Sequence, residues 1–200
     1  MNMLDFFRAN FYLIDFTIGT IICIVVIVLY KIKRIEKLTW YLYWIGFGLG
    51  LCWEVPMSVA NEIGIYPFVT FIIPPPFPSP FSMIVIIITH SFWDGGLFLV
   101  GYWLVNKICS KPTFERFKAS ELGVLLIWGQ LSELAVELTS TLSGGWMYIE
   151  YWWNPVLFIF NGHNITLWPQ IIWFIAPIVF YFIVLKLKPK FSESEVNQTI

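Results

Sequence analysis

The chain has 200 residues, of which 58% are hydrophobic and only 12% are charged, and its mean hydropathy is +0.74. A soluble domain usually carries about 25% charged residues, so much of the surface of this chain is expected to face lipid. The net charge of −1 leaves no basic face that could neutralise phosphates, which argues against nucleic acid as a partner. The spacing of Cys23, Cys52 and Cys109 indicates neither a disulfide framework nor a metal site.

Five apolar stretches reach the roughly 20 residues that a membrane-spanning helix requires. They predict an all-α, polytopic membrane protein with a bundle of about five transmembrane helices. The predicted spans are 11–30, 38–60, 81–105, 122–142 and 166–187. Together they form one transmembrane domain over residues 1–190, followed by a polar cytoplasmic tail over 191–200 without regular structure. The Pro-rich loop 61–80 and the aromatic loop 143–165 lie on the side opposite the cytoplasmic tail, where they are expected to cap the bundle.

The basic residues predict the orientation of the chain. Apart from Arg8, the twelve Lys and Arg residues lie between spans one and two, between spans three and four, or after span five. Because positive residues stay on the cytoplasmic side, the N-terminus is expected outside and the C-terminus inside. The expected location is the plasma membrane of a microbe, with the endoplasmic reticulum as the alternative.

Several ionisable residues fall within the predicted spans, namely Glu54, His90, Asp94, Glu133 and Glu137. Such residues are costly at bilayer depth, so they usually face a partner or a cavity. His90 and Asp94 are four residues apart and share one helix face, and Glu133 and Glu137 repeat that spacing. Since all of them lie in the middle to outer half of the bilayer, we expect a polar pocket among spans two to five. Gly46 and Gly50 have the spacing that lets two helix backbones approach closely.

Acid–base chemistry on an apolar ligand suits this combination of side chains. A carboxyl group kept away from water favours its neutral acid form, which can donate a proton, and tryptophan faces stabilise a cation. The predicted catalytic residues are Glu54, His90, Asp94 and Glu133. The predicted substrate contacts are Trp53, Trp93, Gln130, Glu137, Gln170 and Trp173.

Short motifs in spans two to five carry a family resemblance. The last span reads Gln170–x–x–Trp173–x–x–x–Pro177, and the fourth contains Gly129–Gln130 with Glu133 one turn later. With Glu54 in span two and the His90–Asp94 pair in span three, the chain resembles the emopamil-binding protein group over about residues 40–187. That group includes the sterol Δ8–Δ7 isomerase and the sigma-2 receptor.

The resemblance implies a five-span, EXPERA-like fold and a sterol-like ligand held under the membrane surface. It also shows one departure from the isomerase, which has a histidine one turn before the glutamate that matches Glu54. Gly50 stands at that position in this chain, so His90 is expected to supply the imidazole from another helix.

The favoured interpretation is an enzyme, an isomerase or cyclase, that acts on a sterol- or terpenoid-like lipid by proton transfer without cofactor or metal. Two alternatives stay open: a non-enzymatic lipid-binding membrane protein, and a small proton- or cation-coupled transporter or membrane-complex subunit. A metal site at His90, Asp94, Glu133 and Glu137 has suitable ligand types but no HxxH or ExxH spacing. The expected partners are the membrane and a lipid or other hydrophobic small molecule, and self-association is left open.

Overall fold

Long helices dominate the computed structural model, which describes residues 3–196. The helices are α1 (Met3–Ala9), α2 (Phe11–Lys31), α3 (Lys37–Ile63), α4 (Phe81–Ile108), α5 (Ala119–Ser143) and α6 (Leu167–Val196). Helices α2 to α6 lie where the five apolar stretches predict them. The polar segment after residue 190, predicted to lack regular structure, continues α6 to Val196 because no Gly or Pro interrupts it there. The rest of the predicted tail, 197–200, lies outside the described residues.

Four helices in the described part of the chain are long and apolar enough to cross a membrane. They are α2, α4, α5 and the Leu167–Phe191 part of α6, and they make the chain a multi-pass membrane protein. Helix α3 is as long, at 27 residues. It is less apolar because glycines, tyrosines, tryptophans and Glu54 take the place of aliphatic residues.

Glycines bring three of the helices close together. Helix α3 packs most extensively on α4, and a Cβ atom on Gly46 would lie only 3.0 Å from the Cα of Gly95. A Cβ atom on Gly95 would in turn lie 2.8 Å from the ring of Tyr43. Helix α2 approaches α4 in the same way, since a Cβ atom on Gly19 would lie 2.7 Å from the carbonyl oxygen of Thr89. The close approach predicted at Gly46 is therefore confirmed.

Two small antiparallel sheets cover one end of the bundle, which we name the capped end. The strands are β1 (Val69–Phe71), β2 (Trp146–Tyr148), β3 (Val156–Phe160) and β4 (His163–Thr166). Strand β1 pairs with β2, so the two predicted loops are hydrogen-bonded to each other, and β3 pairs with β4. The all-α prediction missed these strands because three to five residues are too few to show a strand periodicity.

The bundle is solid at the opposite end, which we name the basic end because the Lys and Arg residues of 31–37, 107–118 and 186–190 lie there. An apolar cluster fills the space between α3, α4, α5 and α6 on this side. Its most deeply buried members include Leu42, Phe98, Val105, Leu125, Phe180 and Val184. The hollow part of the protein therefore lies towards the capped end.

The glycine contact between α3 and α4 yields a stability test. We expect Gly46→Val to lower the free energy of unfolding by about 1–3 kcal/mol, the usual cost of overpacking a tight contact. Thermal unfolding followed by circular dichroism in detergent measures the change. Gly48→Val is the matched control, because a Cβ atom on Gly48 would have no neighbour within 4 Å among the described residues. Equal losses in both variants would contradict the proposed role of the close approach.

Candidate functional site

A cavity of about 330 Å³, which we name the central cavity, lies inside the bundle towards the capped end. Side chains from α2 to α6 and from β2 form its wall. The predicted site residues on this wall are Glu54, His90, Asp94, Glu133, Trp53, Trp93 and Trp173. Cavities of this size with a mainly apolar wall and a few polar groups are typical of small-molecule sites.

The imidazole of His90 is held between two carboxylates from different helices. Its Nε2 atom lies 2.9 Å from Oδ2 of Asp15 on α2, and its Nδ1 atom lies 3.5 Å from Oε2 of Glu54 on α3. A carboxylate oxygen accepts hydrogen bonds, and both ring nitrogens donate when the ring is an imidazolium. The arrangement therefore suits a positively charged ring or a proton shared within the group.

Asp15 corrects the prediction that the pocket is formed by spans two to five. It reaches His90 because Gly19, one turn further along α2, allows that helix to touch the backbone of α4 at Thr89. The indole N–H of Trp93 also donates to the backbone oxygen of Asp15, at 3.2 Å. The sequence signal for this contact was the position of the Asp15 carboxylate, one turn inside the first apolar stretch.

Strand β2 adds two residues that the sequence did not assign to the site. Trp146 packs on His90 with the ring centroids 4.8 Å apart, and its backbone N–H donates to Oγ of Ser140 at 2.8 Å. Tyr148 also lines the cavity. Burial raises the pKa of Tyr148 well above its ordinary value, so the phenol keeps its proton. No sequence signal identifies either residue, because the pairing of β2 with β1 places them.

Asp94 and Glu133 are the most secluded acidic groups of the cavity, with 6% and 3% of their surface exposed. Among the described residues, neither Oδ2 of Asp94 nor Oε1 of Glu133 has a hydrogen-bond partner. Gly50 on α3 makes the room for Asp94, since a Cβ atom there would collide with the Asp94 carboxylate. Two buried acids of the cavity wall thus each have an oxygen atom without a partner in the part of the chain that the structure describes.

Tryptophan rings form much of the remaining wall. The indole N–H of Trp128 donates to the backbone oxygen of Leu97 at 2.8 Å, which fixes the ring from α5 against α4. Trp53 and Trp173 lie with their ring centroids 6.0 Å apart. Gly129 allows α5 to touch α6 at Trp173, where a Cβ atom would lie 2.7 Å from the backbone oxygen. The acids therefore share the cavity wall with aromatic rings that are held in place.

The structure places Gln130, Glu137 and Gln170 apart from the residues that line the central cavity. The Gln130 side chain donates to the backbone oxygen of Gln170, at 2.9 Å. Glu137 accepts hydrogen bonds from the Thr166 backbone N–H and the Gln170 side chain, both at 3.2 Å. These bonds connect α5 to the start of α6, so the substrate contact predicted for the three residues has no support from the cavity.

Within residues 3–196, no three His, Cys, Asp or Glu side chains are arranged so that they could hold one metal ion. The metal alternative therefore has no geometric support. Comparisons with protein-family models, with curated proteins and with solved structures give no match. The resemblance to the emopamil-binding protein group stays a prediction.

The hydrogen bonds of Glu137 predict a structural role that can be measured. Glu137→Ala leaves the Thr166 N–H and the Gln170 amide without their acceptor, so we expect a loss of about 1–3 kcal/mol in the free energy of unfolding. Glu137→Gln keeps one acceptor oxygen, so its free energy of unfolding should fall by less. Glu150→Ala, at an exposed position outside the helices, is the control. Unchanged thermal stability of Glu137→Ala would disprove the structural role.

Proposed function

We propose that this protein is a membrane enzyme that transfers a proton to and from a sterol- or terpenoid-like lipid bound in the central cavity. One observation carries the proposal: two buried acids, Asp94 and Glu133, line an aromatic cavity, and each has an oxygen without a hydrogen-bond partner among the described residues. A buried carboxyl group without a partner is least costly as the neutral acid, and a neutral acid is the form that can protonate a carbon–carbon double bond.

In the proposed reaction, Asp94 or Glu133 donates its proton to one alkene carbon, and the positive charge develops on the neighbouring carbon. The faces of Trp53 and Trp173 stabilise that cation by about 0.5–2 kcal/mol each. A carboxylate then removes a proton from an adjacent carbon, which forms the shifted double bond. One proton enters the lipid and one leaves it, so the product is an isomer of the substrate.

His90 and its two carboxylate partners, Asp15 and Glu54, which we name the His90 group, can restore the protonation state of the acids between turnovers. Because His90 contacts both Asp15 and Glu54, it can hold a proton. It lines the same cavity as Asp94 and Glu133, to which the proton would return. The outcome is general acid–base catalysis, which typically contributes 10²–10⁴-fold to a rate. The motifs that resemble the emopamil-binding protein group favour the same ligand class.

The apolar cluster at the basic end favours a lipid enzyme over a transporter. A transported ion or proton would need polar groups along the whole bundle. The space between the cavity and the basic end is instead filled by side chains such as Leu42, Phe98 and Val184. A non-enzymatic lipid-binding protein would use the same cavity, and only turnover distinguishes it from an enzyme.

Isotope exchange tests the proton transfer. Membranes that contain the protein are incubated in deuterium oxide, and the extracted lipids are analysed by mass spectrometry. We expect the wild-type protein to introduce deuterium into one lipid, and Asp94→Asn or Glu133→Gln to lower the rate about 10²-fold or more. Both variants should still fold and retain the lipid in native mass spectrometry.

Glu115→Gln, which changes an exposed carboxylate between α4 and α5, is the control for that experiment and should exchange at the wild-type rate. Bound lipid without any deuterium would instead indicate a non-enzymatic binding protein. Failure of both acid variants to fold would favour a structural role for Asp94 and Glu133.

We also propose that α3 spans the membrane, which gives five spans with the N-terminus outside. The Lys and Arg residues support this orientation because those of three separate segments share the basic end. Arg8 is at the other end, where its Nε donates to the backbone oxygen of Leu142 at 3.0 Å, so a local bond accounts for its position. The proposed location is the plasma membrane of a microbe, with the endoplasmic reticulum as the alternative.

Cysteine labelling tests the orientation in a variant whose native cysteines are replaced by alanine. A membrane-impermeant maleimide added to intact cells should label Glu150→Cys at the capped end. It should label Arg34→Cys, at an exposed position between α2 and α3, only after the cells are opened. The opposite pattern would reverse the orientation, and labelling of both sites in intact cells would contradict the proposal that α3 spans the membrane.

A further inference from the structure

A second cavity of about 420 Å³, which we name the outer cavity, lies at the capped end. The Pro-rich segment 74–79 covers it, and the first turns of α4 and the last turns of α3 form its sides. The proposed proton transfer does not use this space. Its polar groups nevertheless suggest a ligand rather than a packing defect.

The outer and central cavities adjoin each other at a common wall. Glu54, Met57, His90, Trp146 and Tyr148 line both of them. The boundary therefore consists of the His90 group and of strand β2 packed against it, and a ligand that passes this boundary would contact both cavities.

One stripe of α4 runs along both cavities. Ser82 and Ile86 line the outer cavity, His90 lines both, and Asp94 lines the central one. These residues recur every four positions, so they lie on one helix face. At 1.5 Å per residue, the stripe from Ser82 to Asp94 is about 18 Å long, which suits an elongated molecule.

The far end of this stripe carries a hydroxyl group without a partner. Ser82 is 7% exposed, and its Oγ atom has no hydrogen-bond partner within residues 3–196. Nearby on the wall of the outer cavity, the Ser79 hydroxyl donates to the Glu62 carboxylate. A buried hydroxyl that lines a cavity and lacks a partner is the kind of group that a polar ligand atom satisfies.

We propose that the outer cavity is a second subsite, which binds the hydroxyl end of a linear isoprenoid alcohol through Ser82. The apolar chain then runs past His90 and places a distant double bond beside Asp94. This inference rests on the proposed function, since it assumes that the central cavity takes an isoprenoid chain. It narrows the substrate class, because double bonds that recur along the chain allow one molecule to reach both the Ser82 hydroxyl and the buried acids.

Binding measurements on the full-length protein in nanodiscs test the subsite, with tryptophan fluorescence as the readout. The probes are farnesol and the matching hydrocarbon farnesene, which lacks the hydroxyl. We expect Ser82→Ala to weaken farnesol binding about three- to tenfold, the range of one neutral hydrogen bond, and to leave farnesene binding unchanged. Ser82→Thr keeps a hydroxyl and should retain the preference for farnesol.

Ser91→Ala is the matched control and should bind both probes like the wild type. Ser91 is on the same helix, is fully buried and also has no partner among the described side chains, but it lines neither cavity. Equal binding of farnesol by Ser82→Ala and the wild type, with Trp53→Leu weakening both probes, would overturn the subsite and leave the central cavity as the lipid site. If the wild type bound neither probe, the subsite would be overturned, whereas the proposed function would fail only if deuterium exchange into lipid were also absent.

Discussion

The contact between His90 and its two carboxylates is the constraint on which the rest of the structure depends. An ionisable group surrounded by apolar side chains and lipid must find a partner, and an imidazole has polar atoms on two edges of its ring. His90 on α4 therefore binds Asp15 on α2 and Glu54 on α3 at the same time. The three side chains therefore join three helices through one polar contact.

This constraint explains why the bundle is hollow at one end and solid at the other. Near the basic end, aliphatic and aromatic side chains such as Leu42 and Phe180 meet in the middle of the bundle and fill it. Near the capped end, polar groups occupy those positions and tryptophans surround them. The helices still touch there, because glycines at the crossing points allow direct backbone contact. Rigid crossings around a space lined by acids and aromatic rings give a cavity whose shape is maintained without a ligand.

The sequence predicted the features that depend on periodicity and composition. Five helices occur where the apolar stretches predict them, and the spacing of His90 and Asp94 correctly placed both on the wall of one cavity. Features that depend on tertiary contacts could not be predicted from the sequence. Trp146 reaches His90 only because β2 pairs with β1, some 75 residues earlier in the chain. Glu137 has the same helical spacing as the other acids, but neighbouring donors at Thr166 and Gln170 draw it into a helix connection instead.

The space between α3 and α4 at Gly50 has room for one side chain, and Asp94 fills it. Positions 50 and 94 therefore form a steric pair, in which a larger residue on one helix requires a smaller one on the other. In related chains the two positions should vary together, with an acid at 94 accompanied by glycine at 50 and a bulky residue at 50 accompanied by a small one at 94. The same space could thus receive its polar group from either helix, and a descendant of this fold could exchange the acid on α4 for a functional side chain on α3 without rebuilding the bundle.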